Sequence, residues 1–242
     1  MAYLWDQLHA AIPLIWQGNG YVLSVTWVTL RVALIATGGA LVIGLPIGLV
    51  LGLGHFRGRR ALQLLANASL ALPPVLAGVG VLILLLPNGV FGGLRIEFTL
   101  TGVYVVQTIL ALPYIVALTP AAIRALPPGL LAQAGALGAG RAQVAVLALR
   151  EARVGVLAAV IAALASTLSE VAAVIIVGGN IENHDQTLAS SIVAQINDYA
   201  NVPAALAVGI VLLALIVLLI GTLTVLQQRT GGIQLRLRTG GG

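Results

Sequence analysis

The chain has 242 residues, of which 60% are hydrophobic and 8% are charged, whereas soluble domains carry about 25% charged residues because their surfaces are polar. This composition excludes an ordinary soluble domain and favours an all-α integral membrane protein. The net charge of +5 comes from arginines in short polar breaks, a pattern typical of a cytoplasmic membrane face and not of a nucleic-acid-binding surface. The absence of cysteine excludes disulfides, thiolate nucleophiles and cysteine-based metal sites.

Residues 1–20 are predicted to form an interfacial helix. Apolar residues recur there at helical spacing with tryptophans beside them: Leu4, Leu8, Ile12, Ile15, Trp5 and Trp16. Tryptophan is typical of the membrane–water boundary. A cleaved signal peptide is not predicted, because no basic residue precedes Arg31 and Asp6 lies where a basic region would be needed.

About five transmembrane helices are predicted over residues 21–228, since a span needs about 20 apolar residues at about 1.5 Å each. The five stretches are Val22–Leu53, Ala61–Leu86, Thr101–Ala125, Val154–Val177 and Pro203–Leu226. A sixth apolar stretch, Leu130–Leu149, is interrupted by polar residues and glycines, so it is not predicted to cross the membrane. Residues 229–242 are predicted to form a tail.

The positions of the arginines predict the orientation of the chain. They cluster after span one, between spans three and four, and after span five: Arg57, Arg59, Arg60, Arg124, Arg141, Arg150, Arg153, Arg229, Arg236 and Arg238. The loop between spans four and five instead has no arginine and carries the acids Glu182, Asp185 and Asp198. The positive-inside rule therefore places the N-terminus outside and the C-terminus in the cytoplasm, with residues 124–153 as a cytoplasmic loop.

This loop is predicted to fold as one or two short helices under the bilayer. Leu130, Leu131, Ala134 and Leu137 would share one helix face, and Gly138 would end that helix. A helix of small residues is suited to a groove on a cytoplasmic partner. The alternative is a re-entrant or interfacial loop that only caps the bundle.

Ten residues of the loop resemble the EAA loop of type I ABC importer permeases, in which an E-A-A triplet stands six residues before a glycine. Ala134 and Gly138 match this pattern, whereas Ala132 and Gln133 replace the usual Glu and Ala. The resemblance implies that this segment, up to Arg141, is the coupling helix held by an ATPase. It also implies that any contact made elsewhere by the Glu is changed here.

Further stretches resemble the molybdate, tungstate and sulfate group of these permeases, and most closely the tungstate type. They are Ala71–Val75 with Gly78, Leu149–Arg153, Ser169–Val174, Val177–Ile181 and Thr187–Leu188. The resemblance extends over about residues 21–227 and implies an oxyanion importer, with tungstate first, then molybdate or sulfate. It implies a prokaryotic inner (plasma) membrane as the location.

The resemblance also implies the partners: an ATP-binding cassette subunit, an extracytoplasmic substrate-binding protein and a second copy of the chain. The sequence contains no lysine, so it lacks the G-x-x-x-x-G-K-[ST] phosphate loop. We therefore expect ATP and magnesium to bind to a separate ATPase chain, with no cofactor and no catalytic residue in this one.

The predicted translocation path or gate lies in spans two and four. The candidate residues are Pro73, Pro74, Ser166, Thr167, Ser169 and Glu170. The two prolines interrupt helical hydrogen bonding. Glu170 is the one acid deep within a predicted span, where an ionisable group is costly and should face the bundle interior or water. It is either a gate residue or a structural hydrogen-bond anchor, and both alternatives remain open.

Asn180, His184 and Gln186 lie in the outer loop after span four, where a binding protein would dock; a solvated loop is the alternative. A secondary transporter driven by an ion gradient is the main alternative function, because broken helices and a buried Glu are typical of that class. Five spans, however, do not divide into two equal inverted repeats. An intramembrane metalloenzyme is not predicted, because no H-E-x-x-H motif is present.

Overall fold

The computed structural model describes residues 2–16 and 20–239, and within these ranges the chain is helical with no strand. The helices are α1 Ala2–Trp16, α2 Gly20–Leu53, α3 Arg59–Ser69, α4 Pro74–Leu85, α5 Leu100–Arg124, α6 Leu130–Ala136, α7 Arg141–Glu151, α8 Arg153–Ser169, α9 Ala172–Gly178, α10 Leu188–Asn197 and α11 Val202–Thr239. A short 3-10 turn covers Gly92–Leu94. The predicted all-α fold is confirmed.

Three helices are each long and apolar enough to cross a membrane: α2, α5 and the Val202–Arg229 part of α11. Two more spans are possible if α3 with α4, and α8 with α9, each count as one span. The first pair is bent by 104° and the second by 62°. The number of spans is thus three to five; the interruption of span two at Pro73 and Pro74 was predicted, whereas that of span four at Glu170 was not.

The two breaks have different physical causes. The first break lies at two consecutive prolines: a residue that precedes a proline is disfavoured in the helical conformation, and Pro73 is extended, with ψ of 124°. Pro74 instead begins α4, because the first turn of a helix does not need the N–H group that proline lacks. The second break follows from Glu170, whose backbone is extended with ψ of 131°.

The long helices α2 and α5 run parallel and pack closely through glycine. A Cβ atom on Gly39 would lie 3.1 Å from Thr108 Cγ2, and one on Gly48 would lie 2.8 Å from Thr119 Cβ. The paired residue numbers rise together, so the two helices point in the same direction. Small residues at such contacts let membrane helices approach closely, since lipid supplies no hydrophobic force between them.

The other spans alternate in direction around this pair. Gly155 packs against Ala122, and Val177 packs against Gly102, so α8 and α9 run antiparallel to α5. Gln227 Nε2 donates to the backbone oxygen of Val154 at 2.9 Å, so α11 runs antiparallel to α8. The arginine-rich segments after α2, between α5 and α8, and near Arg229 therefore lie at one end of the bundle.

The terminal predictions are only partly covered by the structure. Helix α1 packs against α11 and carries exposed Tyr3 and Trp5, at 62% and 65%; its location at a membrane interface stays a prediction. Of the predicted segment 1–20, residues 1 and 17–19 lie outside the described residues. Of the predicted tail 229–242, α11 includes the backbone to Thr239, while residues 240–242 and the side chains of Arg236 and Arg238 lie outside them.

Candidate translocation path and coupling surface

The break between α3 and α4 opens into a cavity of about 310 Å³. Its lining includes Pro73, Pro74 and Ser166, so the structure brings together candidates from two predicted spans. Ser69 and Tyr114 add two more hydroxyl groups to the same lining. Hydroxyl groups donate hydrogen bonds without a fixed charge. The cavity therefore offers polar contacts to an anion within an apolar bundle.

The sequence interpretation missed Ser69 and Tyr114 as members of this site. Ser69 ends α3, and Tyr114 lies on α5, 45 residues further along the chain. Only the bend between α3 and α4 brings them to one cavity. The position of Tyr114 directly after Pro113, inside a predicted span, was the available signal.

Glu170 lies in the break between α8 and α9. Its Oε1 atom accepts a hydrogen bond from the backbone N–H of Ala173 at 3.0 Å, which satisfies one of the free donors at the start of α9. This contact is a structural anchor of the kind that the sequence left open. Among the described residues no arginine forms an ion pair with Glu170.

The neighbouring hydroxyl groups of α8 differ in exposure. Ser169 Oγ donates to the backbone oxygen of Ala165 at 2.9 Å and is exposed. Thr167 Oγ1 donates to the backbone oxygen of Leu164 at 2.9 Å and is only 4% exposed. Ser169 and half-buried Ser166 can therefore face a path, whereas Thr167 packs between helices in this conformation.

The loop after α9 is built around a buried carboxylate. Asp185 is 0% exposed and accepts hydrogen bonds from the backbone N–H groups of Asn180, at 3.0 Å, and Ile181, at 2.8 Å. Burial raises the pKa of Asp185, and the two backbone donors partly offset that rise. His184 is exposed, with Nδ1 3.5 Å from Asp185 Oδ1. The sequence interpretation gave Asp185 no such role.

Of the three residues predicted to meet a binding protein, only His184 is exposed. Gln186 is 2% exposed, its Nε2 donates to the backbone oxygen of Asn180 at 3.1 Å, and Tyr21 donates to its Oε1 at 3.0 Å. Gln186 thus holds the loop to α2 and does not present a docking surface. Asn180 is half-buried and has a left-handed backbone, with φ of 58°.

Between α5 and α8, the predicted coupling segment folds as the short helices α6 and α7. Gly138 ends α6 as predicted, with φ of +89°. The backbone N–H of Ala139 donates to the oxygen of Ala134 at 3.0 Å, and that of Gly138 to Gly135 at 3.0 Å. This pair of bonds is a Schellman motif, in which glycine adopts the left-handed conformation at no steric cost.

The exposure of this segment corrects one detail. Leu130, Leu131 and Ala134 are half-buried, and Leu131 packs against the cluster that contains Ile123. Leu137 was predicted on the same face but is 89% exposed, because it leaves the helix at the C-cap. The exposed candidate residues of the segment are Ala132, Gln133, Gly138 and Arg141.

Comparison with known proteins agrees with these features. A family model described as "Binding-protein-dependent transport system inner membrane component" matches residues 44–232. The "Probable anion ABC transporter permease protein" of Haloferax volcanii is 35% identical, covering 81% of this chain and 86% of that protein. The "Tungstate uptake system permease protein TupB" of Peptoclostridium acidaminophilum is 30% identical, covering 88% and 93%.

The fold also matches a solved structure. A chain of the MetNI methionine ABC transporter, in an inward-facing conformation, aligns with a TM-score of 0.70 at 21% identity, covering 90% of this chain and 98% of that one. At this identity the likeness concerns the fold alone. The resemblance inferred from the motifs is confirmed by the family match and the relatives. The chain belongs to the family of inner-membrane components of binding-protein-dependent transport systems, the ABC importer permeases.

Proposed function

We propose that the chain is the permease subunit of an ATP-driven importer of a tetrahedral oxyanion, with tungstate first, then molybdate or sulfate. The names of the two relatives support an anion, and one of them supports tungstate. The observation that carries the proposal is the cavity of about 310 Å³ at the helix break, whose lining contains three hydroxyl groups and no carboxylate. A conduit must bind weakly enough to release the ion, so neutral donors are suited to this task.

The arginine-rich end of the bundle is the cytoplasmic end in this proposal. Arg57, Arg124 and Arg153 all lie at that end, in agreement with the positive-inside rule. The acids Glu182 and Asp198 lie at the opposite end. This arrangement gives the inner-membrane topology of the proposal, with an extracytoplasmic N-terminus.

The α6 segment is the docking surface for an ATPase subunit that binds ATP and magnesium. Leu137 is 89% exposed next to the rigid turn at Gly138, and it provides an apolar anchor for a groove on the partner. The half-buried face of α6 packs against the α5 end through Leu131. Movement of the partner would therefore reach the long helix α5 directly.

A second copy of the chain and a substrate-binding protein complete the assembly. Ser169 is exposed at the break of the fourth span, and a polar side chain at this depth is satisfied best when it faces a water-filled path between two protomers. At the opposite end, His184 and Ile181 are exposed, the latter at 49%. They form the surface proposed to meet the binding protein.

Glu170 holds the α8–α9 break open in this proposal and does not itself bind the anion. Its carboxylate is engaged by the backbone N–H of Ala173, and an ionised acid on an anion path would repel the substrate. A gating movement would then transfer the hydrogen bond of Glu170 from the N–H of Ala173 to another donor. The alternative of a secondary transporter is not favoured, because the family matched is that of binding-protein-dependent systems.

The proposal is tested by transport in proteoliposomes that contain the chain, its ATPase and its binding protein. We expect tungstate uptake that requires ATP, with molybdate and sulfate as weaker competitors. Ser166→Ala should reduce the uptake rate because it removes one donor from the cavity. The matched control is Thr222→Ala, which removes a hydroxyl that bonds only to its own helix on exposed α11. Uptake that needs an ion gradient and no ATP would contradict the proposal.

A further inference from the structure

A second cavity, of about 550 Å³, lies at the arginine-rich end where α2 is followed by α3. Its lining includes His55, Phe56, Arg59, Arg60, Gln63 and Arg124. It contains no carboxylate. The end of α5 supplies Arg124, so three guanidinium groups from two parts of the chain surround one space. None of the path candidates belongs to this lining.

The structure explains how these charges are held. Arg59 Nε donates to the backbone oxygen of Leu51 at 2.8 Å, and its Nη2 atom donates to that of Gly52 at 3.0 Å. These bonds fix Arg59 against the carbonyl groups at the end of α2, a favourable position for a cation. Gly58, with φ of +91°, makes the turn that returns the chain to this position.

Arg60 and Arg124 are exposed and have no counter-ion in the part of the chain that the structure describes. The ion pair found there, His184 with Asp185, lies at the opposite end of the bundle. Glu151 lines a different cavity, together with Arg150 and Arg153. Three positive charges that share one space repel one another unless an anion joins them.

The surroundings of the cavity indicate what kind of anion it takes. It lies beside the end of α2, where the apolar sequence gives way to arginines, and such a boundary is expected near the lipid headgroups. Helix α3 leads away from it with Leu62 and Leu65 exposed at 48% and 63%. A small free anion would make no use of these leucines, whereas acyl chains would cover them. Basic pockets between membrane helices on the cytoplasmic side are suited to lipid phosphate groups.

We propose that this cavity binds the phosphate headgroup of an anionic phospholipid, with its acyl chains against the exposed leucines of α3. Arg60 and Arg124 donate to the phosphate oxygens, for which the planar guanidinium group is well matched. Arg59 holds the end of α2 in place beside them. The bound lipid thereby neutralises the positive charge of the cavity that lies between the ends of α2 and α5.

The test compares lipid retention by the full-length chain in nanodiscs of phosphatidylcholine that contain a minor share of phosphatidylglycerol. Native mass spectrometry after release counts the phosphatidylglycerol that remains bound. In the Arg60→Gln/Arg124→Gln variant we expect the preference for phosphatidylglycerol over phosphatidylcholine to fall roughly 30-fold, which corresponds to about 1 kcal/mol for each cation. The matched control, Arg150→Gln/Arg153→Gln, removes the same charge at the same end and should keep most of the preference.

A charge-conserving variant separates binding from folding. Arg60→Lys/Arg124→Lys should keep a preference well above that of the glutamine variant, because the positive charge remains, although the bidentate geometry is lost. If the glutamine variant does not fold, the single variant Arg124→Gln provides the same comparison with a smaller decrease. Equal losses in the variant and the Arg150/Arg153 control would overturn the proposal.

A further arm distinguishes lipid from free anion. Inorganic phosphate is added to the wild-type chain in detergent with bound phosphatidylglycerol, at the same ionic strength as a chloride control. We expect no displacement beyond that of chloride. Selective displacement by phosphate would show that the cavity takes a soluble anion and would overturn the lipid proposal. The measurement does not involve transport, so it stands apart from the proposed function.

Discussion

Replacement of Gly138 by alanine tests whether the end of α6 is set by the left-handed conformation of that one residue. Gly138 has φ of +89°, and a Cβ atom there would meet nothing within 4 Å. The cost is therefore conformational and not steric, and it is about 1–2 kcal/mol for a residue other than glycine in this region. That energy corresponds to roughly a 5- to 30-fold change in the equilibrium of the helix end.

Gly135 is the matched control, because it lies within α6 and its Cβ position is also open. Its backbone is helical, so Gly135→Ala should stabilise the helix by about 1 kcal/mol. The two variants add the same methyl group three residues apart, and we expect effects of opposite sign. The two variants therefore have the same amino-acid composition and the same size.

Hydrogen exchange at the backbone N–H of Ala139 measures the effect directly, because this group donates to the oxygen of Ala134 at 3.0 Å in the turn. Its exchange should accelerate roughly 5- to 30-fold in Gly138→Ala and should not accelerate in Gly135→Ala. Association with the ATPase subunit should weaken only in the first variant. Equal exchange in both variants, or no change in the first, would refute this account of the turn.

Three more predictions concern packing, pH and capping. Gly48→Leu should lower the free energy of unfolding by about 1–3 kcal/mol, because its Cβ atom would lie 2.8 Å from Thr119. The control Gly38→Leu, whose Cβ position is open, should leave the free energy of unfolding unchanged. Thermal unfolding in detergent measures both variants. Burial raises the pKa of Asp185 above 3.8. Its contribution to stability is therefore fully present below that pH and is lost as the pH rises through the folded-state pKa. The melting temperature of the wild type should show this pH dependence, and that of Asp185→Asn should lack it. Glu170→Ala should destabilise the start of α9 by about 0.5–2 kcal/mol, while Glu170→Gln, which keeps an acceptor oxygen, should cost less; equal melting temperatures for the two variants would contradict the role of this hydrogen bond.

The sequence was sufficient for the helices whose apolar runs are continuous. Predicted spans one, three and five agree with α2, α5 and the apolar part of α11 because a hydropathy pattern needs only the local chain. Hydropathy alone joins α3 with α4 and α8 with α9. The two prolines signalled the first interruption, but no local signal marked the extended backbone at Glu170.

The candidate site shows the same division between local and tertiary information. Pro73 and Ser166 were each identified from a local signal, but the inclusion of Tyr114 depends on the angle between α3 and α4, which no local pattern contains. Gln186 was predicted as a loop surface residue, yet it is buried because it bonds to Tyr21, which lies far away in the sequence. Leu137 was grouped with Leu130 and Leu131 on one helix face because helical periodicity was extended one residue beyond the end of the helix.

The break between α3 and α4 bears on the proposed path. A non-helical backbone at membrane depth is tolerated only where it is buried in protein or lines a water-filled cavity. The segment before Pro74 is exposed, not buried, and it borders the same cavity as Ser166, which lies one turn before the break at Glu170. Within this break the backbone N–H groups of Ala71 and Leu72 donate to the oxygens of Ala68 and Ser69 at 3.1 and 3.2 Å, so turns replace part of the lost helical hydrogen bonding. An exposed break beside a cavity lined by hydroxyl groups is the arrangement expected of the proposed path.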